Sequence, residues 1–428
     1  MIAFHFPPLR GSSGIQRTLK FVQYLPALGW TPLVLSARPS AYESTSPDQL
    51  ADVPDGTVVE RAFAIDTARH LALRRRYPRW LALPDRWVSW LAGALPAGWR
   101  MIRRHRPEAI WSTYPIATAH LVGLALHRLT GLPWIADMRD PMTDDGYPAE
   151  RTMRRLYRWI EAQAARRAAR VVCTTPGAVA DYRARFPEVP PERFVLIENG
   201  YDEEHFAAAE GALQREAPGP RDGGRFTLLH SGVVYPSERD PTQLFAALAS
   251  LKRAGAIDAA RLRVVFRAAG HGALLAAMLR EHGIDDIVEL APPVPYREAL
   301  REMLTVDGLL ILQAANCNRQ VPAKLYEYLR ARRPVLALTD PAGDTAAVLR
   351  AAGAGMTARL DDADEIARVL PDFLAQARRN AVPCVPASAC AAWSRRGRAR
   401  QLADLFSAVA PTATGHPAME TCHDTPLP

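Results

Sequence analysis

Lys324 and Glu327 stand three residues apart in "VPAKLYEYLRARRPVLAL", where a helical pattern opens. That spacing puts both side chains on one helix face. The helix follows a strand-like apolar run, so its positive N-terminal end lies beside the strand ends. A lysine there can neutralise phosphate, and a glutamate one turn later can accept hydrogen bonds from a ribose diol. The pair also reads as a surface ion pair, although its place just before "RPVLAL" argues against that. In "LLHSGVVYPSERDP" a strand ends at His230-Ser231-Gly232, and Arg239 sits in a turn before the next helix. Small residues let backbone amides approach a phosphate, and Arg239 can grip it with two parallel donors. A plain strand-to-helix loop explains the same residues equally well.

"ADMRDPMTDD" places Asp137, Arg139 and Asp140 against an apolar strand. Carboxylates at a strand end can orient sugar hydroxyls, hold a metal, or act as acid or base. Asp144 and Asp145, farther along, read as solvated surface. Near the start, "FPPLRGSSGIQRTLKFVQYL" runs a polar turn, Gly11-Ser12-Ser13-Gly14, into a helix carrying Arg17 one turn in. This is either an ordinary connection or a floor for something anionic. Asn199-Gly200 reads as turn chemistry. His5, His120 and His230 have no metal-ligand spacing. No Walker motif, GxGxxG fingerprint or Ser-His-Asp order is present, so P-loop and dinucleotide-redox chemistry both lose support.

The elements that must position these residues alternate between short apolar runs and amphipathic stretches, the pattern of a parallel α/β sheet. "IAFHF", "TPLVLSA", "EAIWST", "PWIADM", "RVVCTT" and "FVLIEN" read as strands of a first half. "FTLLHSG", "LRVVFRAAG", "DIVELAP", "GLLILQ" and "RPVLALT" read as strands of a second. The expected organisation is an N-terminal Rossmann-like domain over 1–200, a linker over 201–225 rich in Ala, Glu, Gly, Pro and Arg, and a C-terminal Rossmann-like domain over 226–409 whose last helix can pack back on the first. Residues 410–428 read as a disordered tail. Two such halves would face each other, with ligand in the crevice at the carboxyl ends of the strands.

A chain of 428 residues exceeds one ordinary core. Its net charge of +8 suits an anionic partner. The basic residues are spread over helices with no recognition motif, so nucleic acid is not expected. Cys173, Cys317, Cys384, Cys390 and Cys422 have no CxxC spacing, which suits a reducing cytoplasm rather than a disulfide framework or zinc site. No export signal or membrane-length apolar run is visible, and the short first strand suggests a true start upstream. Residues 70–106 are rich in Arg and Trp, and read as a surface for anionic membrane with Trp87, Trp90 and Trp99 at the interface, ahead of the alternative of a solvated basic helix with its tryptophans in the core.

In order along the chain, "FPP…GSSGIQR", "LPDRW", "IWSTYP", "PWIADMRDP", "TTPGA", "ENGYD", "HSG…ERDP" and "PAKLYEYL…RPVLAL" resemble the GT-B glycosyltransferases of the retaining family 4 type. The "DMRDP" form is similar to a subgroup found near cell-surface polysaccharide assembly. The resemblance implies transfer of a sugar from a nucleotide-sugar, most often a UDP-sugar, to a lipid-linked or polysaccharide acceptor. That work would take place at the inner face of the cell membrane. The donor would be a substrate, with no cofactor or metal required. Arg239 and Lys324 would face the diphosphate, Glu327 the ribose, and backbone groups near Val294 the base. His230, Ser231, Gly232, Asn199 and Leu325 would complete the donor site, and Gly11 to Gly14 with Arg17 would approach from across the cleft. Asp137, Arg139 and Asp140 would carry the catalytic end. Two departures stand out: Arg319 replaces the first carboxylate of the family's E-x7-E pattern, and Arg139 stands near the family's strand-end histidine. The implied alternatives are a GT-B nucleotide-sugar epimerase and a catalytically degenerate binding protein.

Overall fold

The computed structural model describes residues 1–10, 14–47, 49–74, 76–144, 146–215 and 224–410. Gly11, Ser12 and Ser13 lie outside the described residues, as does the expected tail beyond Ala410.

Twelve strands form among the described residues: β1 (Leu33–Ala37), β2 (Val58–Ala62), β3 (Ile110–Thr113), β4 (Trp134–Arg139), β5 (Arg170–Cys173), β6 (Phe194–Leu196), β7 (Phe226–Ser231), β8 (Leu262–Arg267), β9 (Val288–Ala291), β10 (Gly308–Gln313), β11 (Val335–Thr339) and β12 (Met356–Ala358). In the first lobe β1 pairs with β2, and β3 to β6 run in chain order. "IAFHF" contributes only Ile2 to the sheet. Ile2 bridges Leu35 of β1 and Ser112 of β3, joining the two ladders. The second sheet has the order β12-β11-β10-β7-β8-β9. All pairings between these strands are parallel. A parallel sheet is covered by helices on both faces, which explains why all six residues of β10, "GLLILQ", are buried. The order reverses between β7 and β10, and ligand crevices open at such switch points.

The segment 201–225 holds a helix, Glu203–Arg215, that buries Phe206 and Ala209. Its alanines and glutamates are good helix formers, and the compositional reading as a linker overlooked them. The last helix, Arg395–Val409, sets Leu402, Leu405 and Phe406 against Phe21, Trp111, Ile135 and Ile197 of the first lobe.

The Arg/Trp segment is arranged differently from the sequence expectation. Trp90 is wholly buried, and Trp87 packs on Phe4 with ring centroids 5.1 Å apart. Both rings fill the first-lobe core because Phe4 and Ala94 leave them apolar space there. Trp99 does reach the surface. The most exposed large apolar side chains of the segment are Leu73 (79%) and Trp80 (71%). They lie in a loop whose base is closed by bonds from Thr67 N to Arg86 O (2.9 Å) and from Thr67 Oγ1 to Leu81 O (2.7 Å). No helix among the described residues is long and apolar enough to cross a membrane.

Candidate active site

The lobes enclose a cavity of about 160 Å³. From the first lobe, the helix Gly14–Tyr24 presents Gln16, Arg17 and Lys20, β4 ends in Arg139 and Asp140, and Glu198 to Gly200 form the floor. From the second, Arg239, Gln313 and the run Gln320 to Ala323 form the facing wall. Two helix N-terminal turns therefore point into one cleft, the first at Gly14 and the second in the helix Ala323–Ala331. Each brings the positive end of a helix dipole.

Lys324 stands behind this wall. Its Nζ lies 3.1 Å from His230 Nε2, and His230 Nδ1 donates to Leu310 O at 3.0 Å. With Nδ1 carrying the proton, Nε2 is free to accept from the lysine. Burial holds the imidazole well below the usual histidine range, and the charge of Lys324 adds to this, so His230 stays neutral. Burial, then the charge of Arg239, likewise pull Lys324 well below the lysine range, against the opposing pull of Glu327. Gly232 has φ of +115°, which favours glycine, and a Cβ there would sit 3.0 Å from Lys324 Nζ. The ammonium thus lies directly over the strand-end backbone. Ser231 N donates to Tyr328 Oη at 2.9 Å, and Glu327 accepts from Tyr296 Oη at 2.8 Å. Arg239 donates to Val233 O at 2.8 Å and stacks 5.2 Å from the Tyr235 ring, while its buried Nε has no partner among the described residues. Leu325 is core, its side chain fully buried, and Val294 lies in the loop after β9, outside the cavity lining.

At the first-lobe end, Asp137 is fully buried. It accepts from Arg17 Nε (3.1 Å), Arg17 Nη2 (2.9 Å) and Thr113 Oγ1 (2.7 Å). Arg17 also donates to Glu198 O and Ile197 O. This pair fastens the first helix to β4, so the geometry gives Asp137 and Arg17 a positioning part rather than contact with a ligand. Arg139 and Asp140 do face the cleft. A bulge between Asp137 and Arg139, together with a φ of +59° at Arg139, turns this strand end outward. Strain of this kind gathers at functional sites. Burial lowers the pKa of Arg139 and raises that of Asp140. It also drives His5 down to about 3, helped by the charge of Arg139. Asn199 lines the floor and accepts from Arg398 Nε at 3.4 Å.

The sequence reading did not identify Glu198, Gln313, Arg395 or Arg398, all of which line the cleft. Arg395 donates to Gly200 O (2.9 Å) and Gln16 Oε1 (3.0 Å), and Arg398 pairs with Glu198 at 2.6 Å. The one available signal was "SRRGR", three arginines opening a helix, where the dipole disfavours cations.

Beside the cleft the lobes also touch directly. Arg319 reaches across to Asp144 (2.9 Å) and Asp181 (3.1 Å), and its carbonyl accepts from Thr175 Oγ1. Asp344 of the second lobe accepts from Gly177 N with both oxygens, at 3.1 and 3.0 Å. It thereby caps the first-lobe helix Pro176–Arg185, whose own Thr175 caps Ala178 N. Among the described residues no group of three or more His, Cys, Asp or Glu is placed to hold a metal ion.

Residues 13–200 match the model of the glycosyl transferase 4-like domain. No curated protein matches the chain. Among solved structures, the chain is similar to Alr3699/HepE of Anabaena in complex with UDP, at 14% identity and a TM-score of 0.63, covering 95% of this chain and 99% of that one. It is similar to sucrose-phosphate synthase of Thermosynechococcus elongatus, at 15% identity and a TM-score of 0.63, covering 95% and 98%. It also resembles a putative UDP-N-acetylglucosamine 2-epimerase of Listeria monocytogenes, at 12% identity and a TM-score of 0.56, covering 94% of each chain. The fold is thus GT-B, with two facing Rossmann-like halves.

Proposed function

We propose that the protein is a retaining glycosyltransferase that moves a sugar from a nucleotide-sugar, a UDP-sugar in the first instance, to a lipid-linked or polysaccharide acceptor. The observation that carries this reading is the cationic cradle of the second lobe. Lys324 over Gly232, Arg239 with a free donor, and the N-terminus of the helix Ala323–Ala331 together suit a diphosphate. Glu327, oriented by Tyr296, suits the ribose diol one turn along the same helix. The glycosyl transferase 4-like domain and the UDP complex of the similar HepE structure support the choice of donor.

Catalysis then rests on electrostatics. As the bond from the anomeric carbon to the diphosphate oxygen breaks, charge grows on that oxygen, and Arg239, Lys324 and the helix dipole stabilise it. The acceptor hydroxyl attacks on the same face and passes its proton to the departing oxygen, so configuration is retained. Arg139 and Asp140, aimed into the cleft, orient the acceptor. The exposed loop bearing Leu71, Leu73 and Trp80, ringed by Arg74, Arg76 and Arg79, suits an anionic membrane surface near a lipid-linked acceptor.

Calorimetric titration with UDP tests the donor site. Glu327→Ala should weaken binding roughly 10- to 100-fold, the worth of hydrogen bonds to a charged group. No binding of UDP, GDP or ADP at millimolar concentration would sink the claim. UDP release from a UDP-sugar without any acceptor would favour the epimerase reading instead.

A further inference from the structure

Six basic residues line the cleft: Arg17, Lys20, Arg139, Arg239, Arg395 and Arg398. Three of them are neutralised by carboxylates, Arg17 by Asp137, Lys20 by Asp202 and Arg398 by Glu198. Arg139, Arg239 and Arg395 instead donate to neutral oxygens, those of Tyr114, Val233, and Gly200 with Gln16. None of these three has a carboxylate in ion-pair contact among the described residues. Arg395 is also the first residue of its helix, Arg395–Val409, where the dipole disfavours a cation. Its charge is felt by Arg139 across the same cavity. Asp140, in the same lining, offsets part of the charge at Arg139, and the excess of cations that remains raises the energy of the empty site and lowers that of a site holding an anion.

We infer that Arg395 is an anion-binding residue of the donor site, gripping the diphosphate from the hinge side while Arg239 and Lys324 hold it from the second lobe. The diphosphate assignment rests on the reading above, whereas the anion site itself does not. The position has a mechanical consequence. Arg395 N donates to Tyr201 O, Trp393 O would lie 2.4 Å from any Cβ at Gly200, and the Arg395 side chain reaches Gln16. An anion held by Arg395 therefore ties together the crossing from first lobe to second, the crossing back, and the first helix. Arg395 has five N–H donors, and among the described residues its guanidinium makes two bonds, which leaves donors for a phosphate.

The test compares UDP, uridine and inorganic pyrophosphate by calorimetry on the full chain. Arg395→Gln should lose about 10- to 100-fold in UDP affinity, the range for hydrogen bonds to a charged group, with uridine affinity unchanged. Arg395→Lys should fall between, because it keeps the charge and loses the fork. Arg396→Gln, at an exposed site paired with Glu204, should bind both like the wild type. Melting of the ligand-free Arg395→Gln chain should not drop, since the substitution removes an uncompensated cation. Wild-type UDP affinity in Arg395→Gln, or an equal fall for uridine, would overturn the inference. If the wild type takes no nucleotide, pyrophosphate decides: binding that depends on Arg395 keeps the anion site, and its absence removes it.

Discussion

Substituting Gly177 by alanine separates two effects of opposite sign. Gly177 occupies the second position of the helix Pro176–Arg185, and alanine there favours the first lobe by up to about 1 kcal/mol. Across the lobe boundary the effect reverses. The new Cβ would lie 2.4 Å from Asp344 Oδ2 and 3.0 Å from Asp344 Cγ, distances that real Cβ atoms do not reach. The carboxylate must retreat, and the two contacts from Gly177 N, now 3.1 and 3.0 Å, are lost. At about 1.5–3 kcal/mol for a hydrogen bond to a charged group, closure weakens by roughly 10- to 100-fold. Small-angle scattering should report a larger radius of gyration for Gly177→Ala, shrinking again on addition of UDP. Donor affinity should fall by the fraction of chains that stand open. Thermal unfolding of the first lobe should hold or rise. Scattering and UDP affinity equal to wild type would refute the claim that Asp344 holds the lobes together.

Three other outcomes are expected. Asp137→Ala strands the buried Arg17 guanidinium and should cost about 3–5 kcal/mol in denaturant unfolding, and a loss under about 1 kcal/mol would show the pair to be dispensable. His120 is fully buried, and burial lowers its pKa to about 4 against a pull upward from Asp137. Its folded value lies below the unfolded 6.5, so the unfolded chain binds the proton first and stability falls as pH drops from 6.5 toward 4. The loss is about 3 kcal/mol at roughly 1.4 kcal/mol per pH unit, and His120→Gln should flatten this part of the stability-pH curve. The double substitution Leu73→Ser with Trp80→Ser should reduce co-sedimentation with anionic vesicles several-fold while leaving the melting temperature unchanged, because both side chains face solvent.

The elements legible in the sequence are those whose pattern is local. "PWIADM" became β4 and "GLLILQ" became β10, since continuous apolar runs admit few other fates in an α/β chain. β2 escaped notice because "VVERA" puts Glu60 and Arg61 in the middle of a half-exposed edge strand. β12 escaped because it is three residues long. Site residues follow the same division. Lys324 and Glu327 share a helix, so spacing related them. The Arg17–Asp137 bond spans 120 positions, and Arg395 meets Gln16 across 379. No window on the sequence relates residues so far apart. The tryptophans mark a further limit, because composition cannot tell the core ring of Trp90 from the exposed ring of Trp80.

The helix Arg395–Val409 also bears on the order in which the chain can be made and folded. Phe21, Trp111, Ile135, Val172 and Ile197 precede the second lobe, yet the residues that cover them, Ala399, Leu402 and Phe406, are synthesised only after it. A nascent chain carrying the whole first sheet must therefore hold one apolar face of it bare while some two hundred further residues are added. Emergence of the helix Arg395–Val409, rather than of the first lobe, completes that core. Chains cut between the second lobe and Arg395 should expose this face and partition to chaperones or aggregates.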